Sequence, residues 1–274
     1  MIAGLVLLAG GAAAGVFGSL LGLGGGILLV PLLTLGFGLP LRVAVAVSLV
    51  SVIVTSSASA GVYLEKHVAN LRLGMVLELF SSSGALVGGL VAFLLPANVL
   101  EGLFAALLTW VAVSMVRQRD PAPEPDVDPA AHPEEPPGEP AFIDTLGGPG
   151  YRVHSLPLGM GGSLFAGLVS ALLGVGGGII KVPTMHLLMG VPLRVSTATS
   201  NMMIGITAVS SAVIYLLRGQ VDPFVAGPTA VGVFAGAMVG TRIAPRIDVK
   251  ILRWLFVVVL AYTAFQMAQK ALGL

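Results

Sequence analysis

The chain has 274 residues, of which 56% are hydrophobic and 10% charged, with four histidines, no cysteine and a net charge of +1. A soluble domain covers its surface with about 25% charged residues, so most of this surface must face lipid, in keeping with a mean hydropathy of +0.98. The near-neutral balance argues against a nucleic-acid partner; the lack of cysteine excludes disulfides and thiolate sites; and His67, His132, His154 and His186 lack metal-ligand spacing, so no metal is expected.

In chain order, the opening MIAGLVLLAGGAAAG could pass for a signal peptide. It has no basic start and its apolar run continues past the small residues, so it is read as a retained first helix, about 2–21. A short Gly-initiated segment follows at about 26–37, then long helices at about 42–63, 72–95 and 98–117. The same five segments recur at about 155–173, 178–189, 194–217, 224–243 and 249–271.

The recurrence is an internal duplication. GVFGSLLGLGGGILLVP from Gly15 matches GLVSALLGVGGGIIKVP from Gly167, and the offset of 152 then holds without a gap. Pro40-Leu41-Arg42-Val43 falls on Pro192-Leu193-Arg194-Val195, Ser48 on Ser200, Thr55 on Thr207, and Gly84 and Gly88 on Gly236 and Gly240. Three domains follow: a first transmembrane repeat at 1–116, a linker at 117–154 and a second repeat at 155–274. The linker, with RQRDPAPEPDVDPAAHPEEPPGEP, is too rich in Pro, Asp and Glu to bury a core and reads as exposed and disordered.

Twelve helical residues span ~18 Å, against a hydrocarbon core of ~30 Å. The short segments therefore cannot cross straight, and their Gly-rich starts must be enclosed by protein or line a cavity. Basic residues set the orientation. Lys66 and Arg72 mark one loop, whereas Arg242, Arg246, Lys250 and Arg253 mark the second-half counterpart of the loop at 96–101, which has none. Corresponding loops carry opposite bias, although Arg218 runs against it. The fold class expected is an all-α integral membrane protein of two inverted repeats, each of about four long helices plus one short half-helix. Arg117 and Arg119 put the linker in the cytoplasm, with both termini outside.

Glycine runs leave backbone amides unshielded, and a helix start adds partial positive charge. Gly24, Gly25 and Gly26, with Gly176, Gly177 and Gly178, are thus candidates to hold a small anion between two broken helices. Close helix packing explains the glycines spaced by four, Gly11/Gly15, Gly18/Gly22, Gly84/Gly88 and Gly232/Gly236/Gly240. A phosphate loop is excluded because Lys181 lies three residues past Gly178 instead of next to it, and no strand precedes the glycines as a dinucleotide fold needs. No cofactor is expected.

Lys181 is an intramembrane cation whose repeat mate is Leu29; it either binds the anion or snorkels to an interface. Ser48, Thr199, Ser200 and Asn201 offer donors to an oxyanion, or hydrogen bonds between helices. Arg42 and Arg194 either draw anions into a vestibule or anchor helix ends at the lipid headgroups, anchoring being preferred. Glu78 has no partner in the other repeat, where Ala230 stands; it is either a carrier of a coupling proton or an interfacial carboxylate, the latter slightly preferred.

GLGGGILLVPLLTLGFGLPLRVAVAVSLVSVIVTSSASA, with its counterpart at 174–212, resembles the TauE/SafE sulfite-exporter family in both halves. The resemblance implies a secondary transporter of sulfite or an organosulfonate in a cell membrane, expected to be a prokaryotic inner membrane, with inverted repeats around a central site. Its partners would be the anion, membrane lipid and a coupling proton or ion. Whether it forms a homodimer, which anion it carries and in which direction are open. A passive anion channel and a structural membrane subunit remain alternatives, whereas a membrane enzyme lacks clustered acid, base and nucleophile groups.

Overall fold

The computed structural model describes residues 2–20, 25–65, 68–117, 146–148, 151–243 and 249–273. Its helices are α1 (Ile2–Leu20), α2 (Gly26–Pro31), α3 (Leu41–Glu65), α4 (Leu71–Leu94), α5 (Ala97–Arg117), α6 (Leu156–Leu173), α7 (Gly178–Pro183), α8 (Leu193–Leu217), α9 (Pro223–Ile243) and α10 (Val249–Leu272). Among the described residues, seven of them, α3 to α6 and α8 to α10, are long and apolar enough to cross a membrane, and α1 adds a further apolar helix. Exposed side chains such as Trp110, Val113, Trp254, Val258 and Phe265 give α5 and α10 a lipid-compatible outer face.

The short segments begin and end as their sequence dictates. Gly25 has φ 76° and Gly177 φ 76°, a left-handed conformation that costs a Cβ-bearing residue 1–2 kcal/mol or so. Pro31 and Pro183 then close α2 and α7, and each helix runs on as a π-helical turn, Leu32–Gly36 and Thr184–Leu188. Proline has no amide to donate, so a regular α-helical bond is lost at that point. Thr184 Oγ1 donates to Ile180 O at 2.7 Å, a carbonyl that also accepts from Thr184 N.

Packing weaves the two halves together. α1 lies on α9, and their repeat counterparts α6 and α4 lie on each other; α3 meets α8, and α5 meets α10. Glycines make the first two contacts close. A Cβ on Gly15 would collide with the Val233 carbonyl, and one on Gly236 with that of Ala12. On the other side, Gly84 faces the Leu164 carbonyl and Gly167 that of Ser81. Apolar tails are as comfortable in lipid as in protein, so such backbone-to-backbone fit is what holds membrane helices together.

These contacts also give directions. Positions along α1 and α9 rise together, as do those along α4 and α6. α4 also runs parallel to α8, since Gly74 faces Met202, Glu78 meets Thr207 and Gly89 faces Ile214. Equivalent capping side chains fix the starts of α4 and α9: Asn70 Oδ1 accepts from Leu73 N at 3.0 Å and Asp222 Oδ1 from Phe224 N at 2.9 Å. Lys270 Nζ reaches Glu101 Oε1 at 3.3 Å and ties α10 to α5.

Most of the segment read as a linker, 118–145, lies outside the described residues, as do Lys66 and Arg246. Its far end is packed. Leu146 and Val153 are buried against Leu73, Met185 and Met189, Asn70 Nδ2 donates to Leu146 O and to Tyr151 Oη, both at 2.8 Å, and His154 N donates to Met189 O.

Glycine contacts lead to a stability prediction. Gly167→Ala should lower the unfolding midpoint in detergent, by overpacking worth about 1–3 kcal/mol. Gly161→Ala, on the same helix with open space around its Cβ, should hold or raise it, since alanine is about 1 kcal/mol the better helix former.

Candidate functional site

The two breaks lie against each other at the centre of the bundle. A Cβ on Gly26 would stand 2.6 Å from Gly174 O and 2.9 Å from Val52 Cγ2. Ser48, fully buried on α3, donates to Gly174 O at 2.7 Å and reaches Gly26 O at 3.3 Å. Its single proton is shared between carbonyls of both breaks, so Ser48 ties them together and is not offered to a ligand. Gly24 lies outside the described residues.

The second break differs. Ser200, the repeat mate of Ser48, lies 3.4 Å from a Cβ built on Gly178, and the Ser170 Cβ lies equally far from one on Gly177. Both hydroxyls are buried without a hydrogen-bond partner among the described residues. The amides do not set the breaks apart. Gly177 O accepts from Ile180 N and Lys181 N, both at 3.1 Å, as Gly25 O accepts from Leu28 N and Leu29 N. The first two helical amides, Gly178 and Ile179 at the second break and Gly26 and Ile27 at the first, meet no acceptor among the described residues. Unpaired buried donors are costly and uncommon. Here two hydroxyls and two amides gather around Gly177–Gly178, all able to donate to an anion. Gly176, with φ 78°, lies against the side chains of Ile204 and Val52.

Lys181 and Glu78 come together. Lys181 is 1% exposed, and its Nζ lies 3.2 Å from Glu78 Oε2. The ammonium also donates to Thr207 Oγ1 at 2.6 Å, Thr207 donates to Glu78 Oε1 at 2.7 Å, and Ser82 donates to the same oxygen at 2.8 Å. Three helices supply this cluster: α7 the cation, α4 the anion and Ser82, α8 the bridging threonine. A buried charge needs a counter-charge and satisfied hydrogen bonds, and this arrangement provides both. Lys181 does not snorkel to an interface, and Glu78, 6% exposed, is not an interfacial carboxylate.

The remaining candidates do other work. Thr199 Oγ1 accepts from Asn70 N at 2.9 Å at the start of α4. Asn201 is buried, and its carbonyl accepts the Ser56 hydroxyl. Arg42 donates to Leu95 O at 2.7 Å and Ala92 O at 3.2 Å, occupying the carbonyls at the end of α4, with its guanidinium 5.5 Å above Phe93. Arg42 thus closes the end of α4 through its backbone carbonyls. Arg194 is exposed. His186 holds Val191 O through Nδ1 at 2.9 Å.

Nothing in the sequence pointed to Ser170 or Ser82, and Thr207 stood out only as the repeat mate of Thr55. One signal for the ion pair was nonetheless available. Lys181 and Glu78 each replace an apolar repeat mate, Leu29 and Ala230, with a charge, and the two charges are opposite.

Removing one partner strands the other. Lys181→Met should cost about 3–5 kcal/mol of stability by leaving Glu78 unpaired, whereas Lys181→Met combined with Glu78→Leu should recover most of it. Unfolding midpoints in detergent of the wild type, Lys181→Met, Glu78→Leu and the double variant check this.

Comparison with known proteins agrees with the membrane reading. The sequence resembles "Probable membrane transporter protein YunE" of Bacillus subtilis, 26% identical over 270 residues and 96% of each chain. It also resembles "Probable membrane transporter protein MamO" of Paramagnetospirillum magneticum, 27% identical over 97% of this chain but only 44% of that protein. A third relative, "Probable membrane transporter protein YdhB" of Bacillus subtilis, is 23% identical over 86% of this chain. No solved structure matches. The family "Sulfite exporter TauE/SafE" matches residues 7–267, and the chain therefore belongs to this family of multi-pass membrane transporters.

Proposed function

We propose that the chain is a secondary transporter of a small sulfur-containing anion, sulfite or an organosulfonate, working by alternating access around the second glycine break. The family description supports the substrate class. The observation that carries the site is the pair of buried, unpartnered hydroxyls of Ser170 and Ser200, set beside the free amides of Gly178 and Ile179 and one helical turn from a buried lysine. An oxyanion accepts several hydrogen bonds at once, and donors already stripped of water bind it with little further desolvation.

Helix directions support an inverted arrangement of the halves. α8 and α9 are joined by a short turn at Arg218–Asp222, so they run oppositely. α1 is parallel to α9, while α6 is parallel to α8 through their common neighbour α4. On this reading α1 and α6 point in opposite senses, and each half makes an odd number of crossings. Rocking of intertwined halves about the touching breaks would then open the site to either side in turn. No nucleotide motif is present, so an ion gradient or the anion's own gradient supplies the energy.

The test is binding and flux with one panel: sulfite, methanesulfonate, sulfate, taurine and acetate. A sulfur anion should stabilise the purified protein and cross proteoliposomes saturably. Ser200→Ala should weaken its binding about tenfold, as expected for losing one hydrogen bond to a charged ligand of roughly 1.5 kcal/mol. Because this hydroxyl has no protein partner, the anion-free variant should unfold no earlier than wild type. Unchanged affinity in Ser200→Ala would remove the second break from the site, and non-saturating flux would make the protein a channel.

A further inference from the structure

We propose that the Lys181–Glu78 pair makes the chain a proton–anion symporter that moves one proton with each monovalent anion. The inference rests on the transport reading above and deepens it by naming the coupling ion, the stoichiometry and the relative direction. It starts from charge balance. The cluster of Lys181, Glu78, Thr207 and Ser82 is buried and carries one positive and one negative charge. Its net charge is zero. An anion arriving alone would leave the buried site at −1, and a proton arriving alone would leave it at +1; either is costly away from water. Both together restore zero.

The geometry specifies the exchange. Glu78 takes up the proton on a carboxylate oxygen and becomes a neutral acid. The Lys181 ammonium loses its counter-charge and pairs with the anion, which lies beside the break that begins the same helix. Thr207 already accepts from Lys181 and donates to Glu78, so it can stay bonded to both during the change. Ser82 keeps Glu78 oriented from one turn further along α4. On the opposite side the anion leaves, Glu78 releases its proton to the same compartment, and the ion pair re-forms. Each transport step thus moves an electrically neutral site.

No other charge contacts the pair among the described residues. α6, which packs on both α4 and α7, holds no titratable side chain. Arg72 begins α4, about 9 Å of helix from Glu78, and Arg194 stands at the far start of α8. His186 is turned to Val191 O, and Tyr215 to Ala171 O. The repeat mates Leu29 and Ala230 carry no charge, so the duplication does not supply a second exchanger. The other lysine–glutamate pair among the described residues, Lys270–Glu101, lies apart on α10 and α5 with its lysine side chain 38% exposed, so one proton per cycle passes through Lys181–Glu78.

The experiment uses the purified full chain in proteoliposomes, with labelled methanesulfonate and sulfite as probes and protein-free liposomes as background. Methanesulfonate stays an anion throughout, so it cannot cross as a neutral acid. With the membrane potential clamped at zero, a gradient of one pH unit should concentrate methanesulfonate about tenfold on the alkaline side. An inward anion gradient should acidify the lumen, read by a trapped pH dye. Glu78→Gln should lose the pH-driven accumulation while exchange of labelled for unlabelled anion stays measurable. Flux driven by potential and indifferent to pH in the wild type would overturn the symport and leave transport standing; this arm decides even if Glu78→Gln does not fold. Absence of flux with both anions would overturn the transport reading and the symport with it.

Discussion

Backbone that leaves the helical path inside a membrane must be enclosed by protein, and this fold is organised around two such places. Each break is a glycine turn with left-handed backbone, followed by a helix only six residues long before proline stops it. Lipid cannot satisfy the exposed amides and carbonyls. The long helices therefore surround the breaks, and they come close enough only because glycine faces carbonyl along α1–α9 and α4–α6. Ser48 then ties one break to the other through carbonyls of both.

Duplication gives two equivalent breaks, and divergence has made them unequal. At the first, Ser48 spends its proton on backbone carbonyls; at the second, Ser200 and Ser170 have no partner. Beside the second break stands Lys181, where the first half has Leu29. Its counter-charge, Glu78, comes from the other half, on the helix that packs against α6 and α8. One repeat thus supplies a scaffold, and both contribute to a single charged site. A movement that separates α4 from α7 must break the pair, and in the proposed symport that would link rearrangement of the halves to protonation and loading of the site.

Much of the fold was legible in the sequence because membrane helices are bounded by plain signals. Apolar runs ending at Gly, Pro or charge placed the short segments at 26–37 and 178–189, against 26–36 and 178–188 in the structure. Glycines spaced by four pointed to close packing, and Gly84, Gly88, Gly232, Gly236 and Gly240 indeed face neighbouring backbone. The site was less legible. In a soluble helix the polar face shows which side is buried, but helices apolar on all sides give no rotation. Hence Ser48 could be named as a donor without any sign that the glycine carbonyls already take its proton, and Thr199 without any sign that its oxygen already accepts from Asn70 N. Lys181 and Glu78 are 103 residues apart, and only the loss of repeat symmetry at each hinted that they belong together.

The central claim is that anion binding displaces Glu78 from Lys181 and leaves the carboxyl protonated. Infrared difference spectroscopy of the purified protein, recorded with and without methanesulfonate or sulfite, measures that directly. The account predicts that the anion converts one buried carboxylate into a protonated carboxyl, and that Glu78→Gln abolishes the change. Anion binding with no carboxyl signal, or the same signal in Glu78→Gln, would contradict it.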